Sequence, residues 1–352
     1  MELADPPGKN GFLSRRGFIR LTGAAVAATA LPGWSLPRRL EEWLALGHAP
    51  RAKHRTPFIT PNDDFYLVAV NPSYRPPVTP GDIAGKWSLT LTGPGEKSAQ
   101  LSYADLTARA RHSTFYTFEC IGNDVGGQLI GNARWKVIPL SHVLAGAPGG
   151  TGSVRSVMFE GLDDFYSSVS IERARDDYAF IAVEMNGAPL PAAHGFPARV
   201  MLPDLYGMKQ PRWLRRIHLL EDSDTTSYWE KRGWGGEVPV KTMSRLDPRE
   251  DITPGHPAVL TGVAFAGRRG IQKVEVSLDG GEHWQPCELV TPTRPDAWSL
   301  WRYDWPRPVP GRYTLKVRAT DGQGRLQTAR ATDAYPDGAS GLDAHTVAVR
   351  PS

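Results

Sequence analysis

The clearest periodicity lies in the last third of the chain. Val274, Val276 and Leu278 alternate with Lys273, Glu275 and Ser277, the two-residue repeat of a strand with one buried face. Asp279-Gly280-Gly281 follows and predicts a turn. Tyr313, Leu315, Val317 and Ala319 repeat the alternation and stop at Asp321-Gly322. From about Ala258 onward the chain therefore reads as a β-sandwich of roughly 100 residues.

Upstream the pattern is mixed. Pro37–Leu44 reads as a short helix with proline in its first turn. Val154–Phe159 and Ala179–Glu184 are compact β-prone runs and predict strands. Leu246–Pro257 has the proline and charge content of a linker. Phe115–Glu119 is aromatic and β-prone and runs into Cys120-Ile121-Gly122-Asn123-Asp124. That predicts a strand ending in a tight turn, with Cys120 at its rim and Gly122 permitting close backbone approach. The fold class is α+β, with a mixed domain over 37–253 and an all-β domain over 254–352.

Composition sharpens this picture in three places. The 36 glycines and 31 prolines among 352 residues support a turn-rich, β-heavy architecture. Lys9, Arg15, Arg16 and Arg20 against Glu2 and Asp5 place half of the net charge of +4 in the first 30 residues. The small remainder argues against nucleic acid or an anionic membrane surface as partner. No stretch of roughly 18 consecutive apolar residues occurs, so no membrane-spanning helix is predicted.

The first residues read as an address. Ser14-Arg15-Arg16-Gly17-Phe18-Ile19-Arg20 precedes the mildly apolar Leu21–Ala30, and Ala28-Thr29-Ala30 is a plausible cleavage site. This resembles a twin-arginine signal over 1–32, which carries folded proteins to the periplasm and so suits a cofactor inserted before export. The other reading is an ordinary amphipathic helix.

Candidate chemistry centres on Cys120. A thiolate is a soft donor suited to a redox metal, although a cysteine after a strand is also compatible with an inert buried thiol. Cys287, in Trp284-Gln285-Pro286-Cys287-Glu288, reads as a core or edge cysteine. A disulfide between the two would remove Cys120 as a ligand. His194, between proline-rich turns, and Arg199 are each compatible with a plain structural or solvated role.

The surrounding motifs decide between these readings. Phe118-Glu119-Cys120-Ile121-Gly122-Asn123, then Trp135 and Leu140, resemble the E-C-x-G-N…W…L block of the sulfite oxidase family. Glu184–Arg199 resembles that family's longest signature, and Leu205–Leu214 continues it. Thr60–Tyr66 is similar to its first motif; Gly270-Ile271 with Val274–Ser277, Asp279–Gly281 and Trp284 is similar to its C-terminal dimerisation domain. The resemblance spans nearly the whole mature chain, with its motifs in order.

It implies a molybdopterin-binding domain followed by an immunoglobulin-like dimerisation domain, Mo-molybdopterin as cofactor, a homodimer, and Cys120 as the metal's protein ligand. His194, Arg199 and Arg212 fall on cofactor-contacting positions; Gln210 and Pro211 fall on positions that contribute mainly backbone. Asn62, Phe65 and Tyr66 match contacts of the first motif, and Asp163 and Ser167 match a polar contact before Ile171. The expected reaction is oxygen-atom transfer on a small molecule. No C-x-x-C-H motif is present, so a separate electron carrier, such as a c-type cytochrome, is expected.

The pattern also departs from the family. Val68-Ala69-Val70 stands where sulfite-oxidising members carry R-N-H, Asp124-Val125-Gly126-Gly127 lacks a usual arginine, and a tyrosine is replaced around Gly233-Trp234-Gly235. A buried anion without cations is costly, so a less charged or differently held substrate is expected, unless Arg75, Arg134 or Lys136 supplies charge from a new position. Two alternatives remain open: a periplasmic reductase of S-oxides or N-oxides, and a non-catalytic exported binding protein. The methionine-sulfoxide-reducing branch generally lacks the C-terminal sandwich present here.

Overall fold

The computed structural model describes residues 56–70, 74–81, 83, 85–223, 226–247, 252–290 and 296–350. The signal-like stretch and the Pro37–Leu44 helix lie outside them. Among the described residues no helix is long and apolar enough to cross a membrane.

The first lobe is built from β1 (Ser88–Thr92), β2 (Ser98–Ser102), β3 (His112–Glu119), β4 (Ile130–Pro139), β5 (Ser156–Gly161), β6 (Tyr166–Ser170), β7 (Phe180–Met185), β8 (Ala188–Pro189), β9 (Arg199–Met201) and β10 (Leu214–Leu220). One sheet runs β2-β1-β10-β5-β6; the other runs β3-β4-β7-β8, with β9 also pairing with β7. The predicted strands correspond to β5, which starts at Ser156, and to β7. Leu89, Leu91, Phe159 and Ile217 of the first sheet share one buried cluster with Phe118, Trp135 and Ile181 of the second. Helices are short. The longest named one in this lobe, α1 (Tyr103–Arg109), starts with a capping box in which Ser102 and Asp105 satisfy each other's backbone amides.

The second lobe is a sandwich of β11 (Met243–Leu246), β12 (Ala258–Phe265), β13 (Ile271–Ser277), β14 (Gln285–Pro286), β15 (Glu288–Val290), β16 (Ser299–Trp305), β17 (Gly311–Asp321) and β18 (Ala344–Val349). Its sheets run β11-β12-β16-β15 and β14-β13-β17-β18. The alternation is realised: Val274, Val276, Leu315 and Val317 fill the core with Leu260 and Trp301. The boundary differs from the expected one. β11 precedes the linker, yet it pairs antiparallel with β12, Leu246 opposite Gly262. The sandwich therefore takes its first strand from within 37–253.

A third cluster joins the lobes: Phe58, Ile121, Ile130 and Met208 pack with Val263 and Trp298. Trp298 fastens it, its indole donating to the Phe58 carbonyl at 2.9 Å and its amide to the Thr117 hydroxyl at 2.8 Å. Ile121 directly follows Cys120, so this inter-lobe core abuts the candidate site.

Candidate active site

β3 ends at Glu119, and the chain turns immediately. The Asn123 amide donates to the Cys120 carbonyl at 3.0 Å, and the Cys120 amide donates to the Leu129 carbonyl at 2.9 Å. Asn123 braces the turn, its side chain reaching Glu119 Oε1 (3.1 Å) and the Leu129 amide (2.8 Å). Cys120 is half-buried and unpaired, as is Cys287, so no disulfide removes it. Burial pushes its thiol up, with Glu119 adding to the effect. A metal bound there must displace the proton. A side chain at Gly122 would meet only Cys120 Sγ, at 3.8 Å, so the missing side chain keeps the sulfur's flank open.

The second lobe grips this turn. Arg245 Nη1 of β11 donates to the Gly127 carbonyl at 3.0 Å. Gly126 has a φ of 73°, and a Cβ there would stand 2.5 Å from Asp343 Oδ1, so only glycine fits. Asp343 in turn accepts from the Leu246 amide at 2.8 Å.

Cys120 opens into a cavity of about 250 Å³. Eight of the eleven residues singled out in the sequence line it: Phe65, Tyr66, Cys120 and Asp163, and then His194, Arg199, Gln210 and Arg212. Gly195 is what lets three of them converge. Its φ is 114°, and a Cβ would stand 3.1 Å from the Cβ atoms of both Arg199 and Arg212.

His194 Nε2 lies 2.9 Å from the Asn62 carbonyl. Burial, with Arg199 and Arg212 nearby, draws the imidazole down to about 4. It is therefore neutral at pH 7, Nε2 carries the proton because a carbonyl only accepts, and Nδ1 is left as an acceptor. A histidine depressed in the fold contributes stability above its ordinary value near 6.5, lost as pH falls through about 4. The expected result is that His194→Gln removes about 3 kcal/mol of acid sensitivity between those values, read as the pH dependence of the thermal midpoint.

Arg199 is buried, its guanidinium carbon 3.9 Å from the Phe118 ring centre. Nη1 donates to the His194 carbonyl at 3.3 Å, while Nε is buried without a partner. Burial and then Arg212 draw it down to about 9, which leaves it charged. Arg212 donates to the carbonyls of Ala193 (2.8 Å) and Val68 (2.7 Å).

The remaining three residues do not line the cavity. Asn62 supports it: its carbonyl receives His194, and its Oδ1 accepts from Asn186 at 2.8 Å. Pro211 contributes backbone, accepting from the Val200 amide at 3.0 Å. Ser167 is buried on β6 with its hydroxyl unpartnered. The Gln210 side chain is consumed in shaping its loop: Oε1 accepts from the Leu202 amide and the Tyr116 hydroxyl, and Nε2 donates to the Leu205 carbonyl. Trp135 is core, fully buried beneath Arg199.

Residues that the sequence reading missed close the cavity. Leu129, Phe165, Met208 and Trp229 line it, together with Trp234 and Val68–Val70. Apolar side chains carry no local mark of a site. Arg75, Arg134 and Lys136, the candidate replacement cations, are not among the lining residues; Lys136 is held by Glu184 at 2.8 Å. Lys209 is almost fully buried behind the wall, its ammonium 2.6 Å from Glu230 and 2.9 Å from Ser227.

The chain matches known proteins in sequence and fold. The model of the oxidoreductase molybdopterin binding domain matches residues 76–229, and that of the Mo-co oxidoreductase dimerisation domain matches 239–334. Chicken (Gallus gallus) sulfite oxidase is 30% identical, over 77% of this chain and 68% of its own. Human mitochondrial sulfite oxidase is 32% identical, over 74% of this chain and 55% of its own. The chain thus spans about half the length of its mammalian relatives. The crystal structure of the sulfane dehydrogenase SoxCD from Paracoccus pantotrophus shares the fold, with a TM-score of 0.70 at 22% identity, covering 94% of this chain and 96% of that one. With a cysteine opening into a pocket beside a buried arginine, a fold and sequence of this kind place the chain in the sulfite oxidase family of molybdopterin-dependent oxidoreductases.

Proposed function

We propose that the protein is an exported, periplasmic enzyme that transfers an oxygen atom at a Mo-molybdopterin held through Cys120, and that passes its electrons to a separate carrier such as a c-type cytochrome. The observation that carries this is the Cys120 thiol facing one cavity with Arg199, Arg212 and neutral His194.

The residues fit the cofactor. A buried guanidinium with an unpartnered Nε calls for an anion, and the cofactor's phosphate is one. The His194 Nδ1 acceptor and the Arg212 guanidinium suit a ring rich in donors and acceptors, and the open flank at Gly122 leaves the sulfur approachable. Cys120 would bind the metal, and Arg199, Arg212 and His194 would hold the pterin and its phosphate. When bound, the molybdenum supplies a two-electron redox change.

The chain's own part is positional. Asn123 and Arg245 fix the turn that carries the sulfur, and the apolar wall shapes the space in front of it. Overall, the substrate gains an oxygen atom from water and releases two protons and two electrons. Val68–Val70 in the lining favours a second reading, in which the same balance runs backward on an S-oxide or N-oxide. The twin-arginine-like segment supports export, and the dimerisation-domain match supports a homodimer.

The test is metal analysis of the folded exported protein, with absorbance of a c-type cytochrome followed on adding substrate. About one molybdenum per chain and cytochrome reduction are expected. Metal-free protein from molybdate-replete cells would refute the proposal.

A further inference from the structure

The cavity wall that the cofactor reading does not use is aromatic. Phe165 meets Tyr228 with ring centres 5.6 Å apart, Tyr228 meets Trp229 at 5.2 Å, Trp229 meets Trp234 at 6.3 Å, and Trp234 meets Tyr335 of the second lobe at 5.2 Å. Each contact is edge-to-face, which fixes the rings as one surface. The Gly235 amide donates to the Pro336 carbonyl at 3.2 Å and ties this wall to the sandwich. Val68 and Val70 form part of the lining and are 47% and 39% exposed, so they stand at its mouth.

Charge is missing from this part. Arg199 and Arg212 are committed to the cofactor in the proposed reading, and His194 is neutral. Neighbouring cations are held by other groups: Lys209 by Glu230, Arg215 by Glu160 and Asp164, Arg232 by the Tyr228 carbonyl, with its guanidinium 3.6 Å from that ring's centre, and Lys231 over the Tyr166 ring at 5.2 Å. Asp163 adds a carboxyl to the lining. A sulfite-type oxyanion placed here loses hydration without gaining a counter-charge. Two uncharged donors are available instead. Among the described residues the indole N–H groups of Trp229, Trp234 and Trp305 have no hydrogen-bond partner, and of these three only Trp229 and Trp234 line the cavity.

We infer that the site takes an uncharged thioether or sulfoxide bearing apolar, aryl-type substituents, with Trp229, Trp234 and Phe165 selecting it over sulfite-type oxyanions. The inference rests on the proposed reading of Cys120 as metal ligand. Sulfur packs well against aromatic edges, and a sulfoxide oxygen accepts from an indole N–H without carrying charge. In the oxidising direction, a thioether and water give a sulfoxide, two protons and two electrons, the electrons passing to a c-type cytochrome. In the reducing direction, the sulfoxide takes up two protons from solvent and two electrons, one from each of two reduced c-type haems, and gives the thioether and water.

The experiment titrates molybdenum-containing exported protein with methyl phenyl sulfoxide, thioanisole and sulfite, following tryptophan fluorescence, with metal content measured on the same sample. Saturable quenching by the sulfoxide or the thioether is expected, with sulfite at least about tenfold weaker. Trp234→Ala and, independently, Phe165→Leu are expected to weaken sulfoxide binding about tenfold. Val70→Arg is expected to strengthen sulfite binding by a similar factor. Sulfite binding as tight as the sulfoxide in wild type overturns the inference, as does unchanged sulfoxide binding in both wall variants. Absence of molybdenum overturns the reading beneath it, separately and whatever the titrations show.

Discussion

Cys120→Ala is expected to fold and to contain no molybdenum, with oxidoreductase activity reduced by about a thousandfold or more. Removing one half-buried sulfur from a turn costs about 1 kcal/mol in packing, because the turn is held by backbone hydrogen bonds and by Asn123 rather than by the thiol. Under the proposed reading the metal would lose far more: Cys120 is its protein ligand there, and Cys287, free in the sandwich and pushed up to about 12 by burial, is no substitute. Metal content by mass spectrometry and the thermal midpoint of cofactor-free samples separate the two effects. A Cys120→Ala protein that keeps wild-type molybdenum would dismiss the sulfur as ligand.

The second large effect has opposite signs in two states. Arg199→Leu is expected to raise the thermal midpoint of the cofactor-free chain by roughly 5 °C while cutting cofactor retention about a thousandfold, near 4 kcal/mol. The guanidinium is buried, lacks a partner at Nε and lies close enough to Arg212 for its affinity for a proton to fall. Without an anion it is a cost; with one it is a charge-assisted anchor. Leucine keeps the contact with Phe118 and removes the charge. A lower midpoint in the cofactor-free chain would instead make Arg199 a structural prop stacked on Phe118. This is stability given up for function in a single side chain.

Much of this is legible in the sequence. The alternating apolar positions of β13 and β17 announce a sandwich because a half-buried strand writes its period directly into sequence. Cys120 at the end of an aromatic strand, and the polar residues of the long signature, are visible because each sits in a short ordered motif. What stayed hidden depends on pairing across long separations. β11 is too short to show a period, and only its register against β12 assigns it to the sandwich. Lys209 reads as a surface cation until Glu230, in a separate turn, is brought to its ammonium. Phe165, Leu129 and Trp229 are unremarkable apolar residues until folding aligns them with one sulfur. The replaced R-N-H positions point to a less charged substrate, whereas the ring contacts that join Phe165, Tyr228, Trp229 and Trp234 can be seen only in three dimensions.

The grip of Arg245 and Asp343 on the turn around Gly126 and Gly127 has a mechanical meaning. The two lobes are not beads on a string, since the second holds the first by a turn only a few residues from Cys120. A displacement of the sandwich against the first lobe would therefore pull on the backbone that carries Cys120.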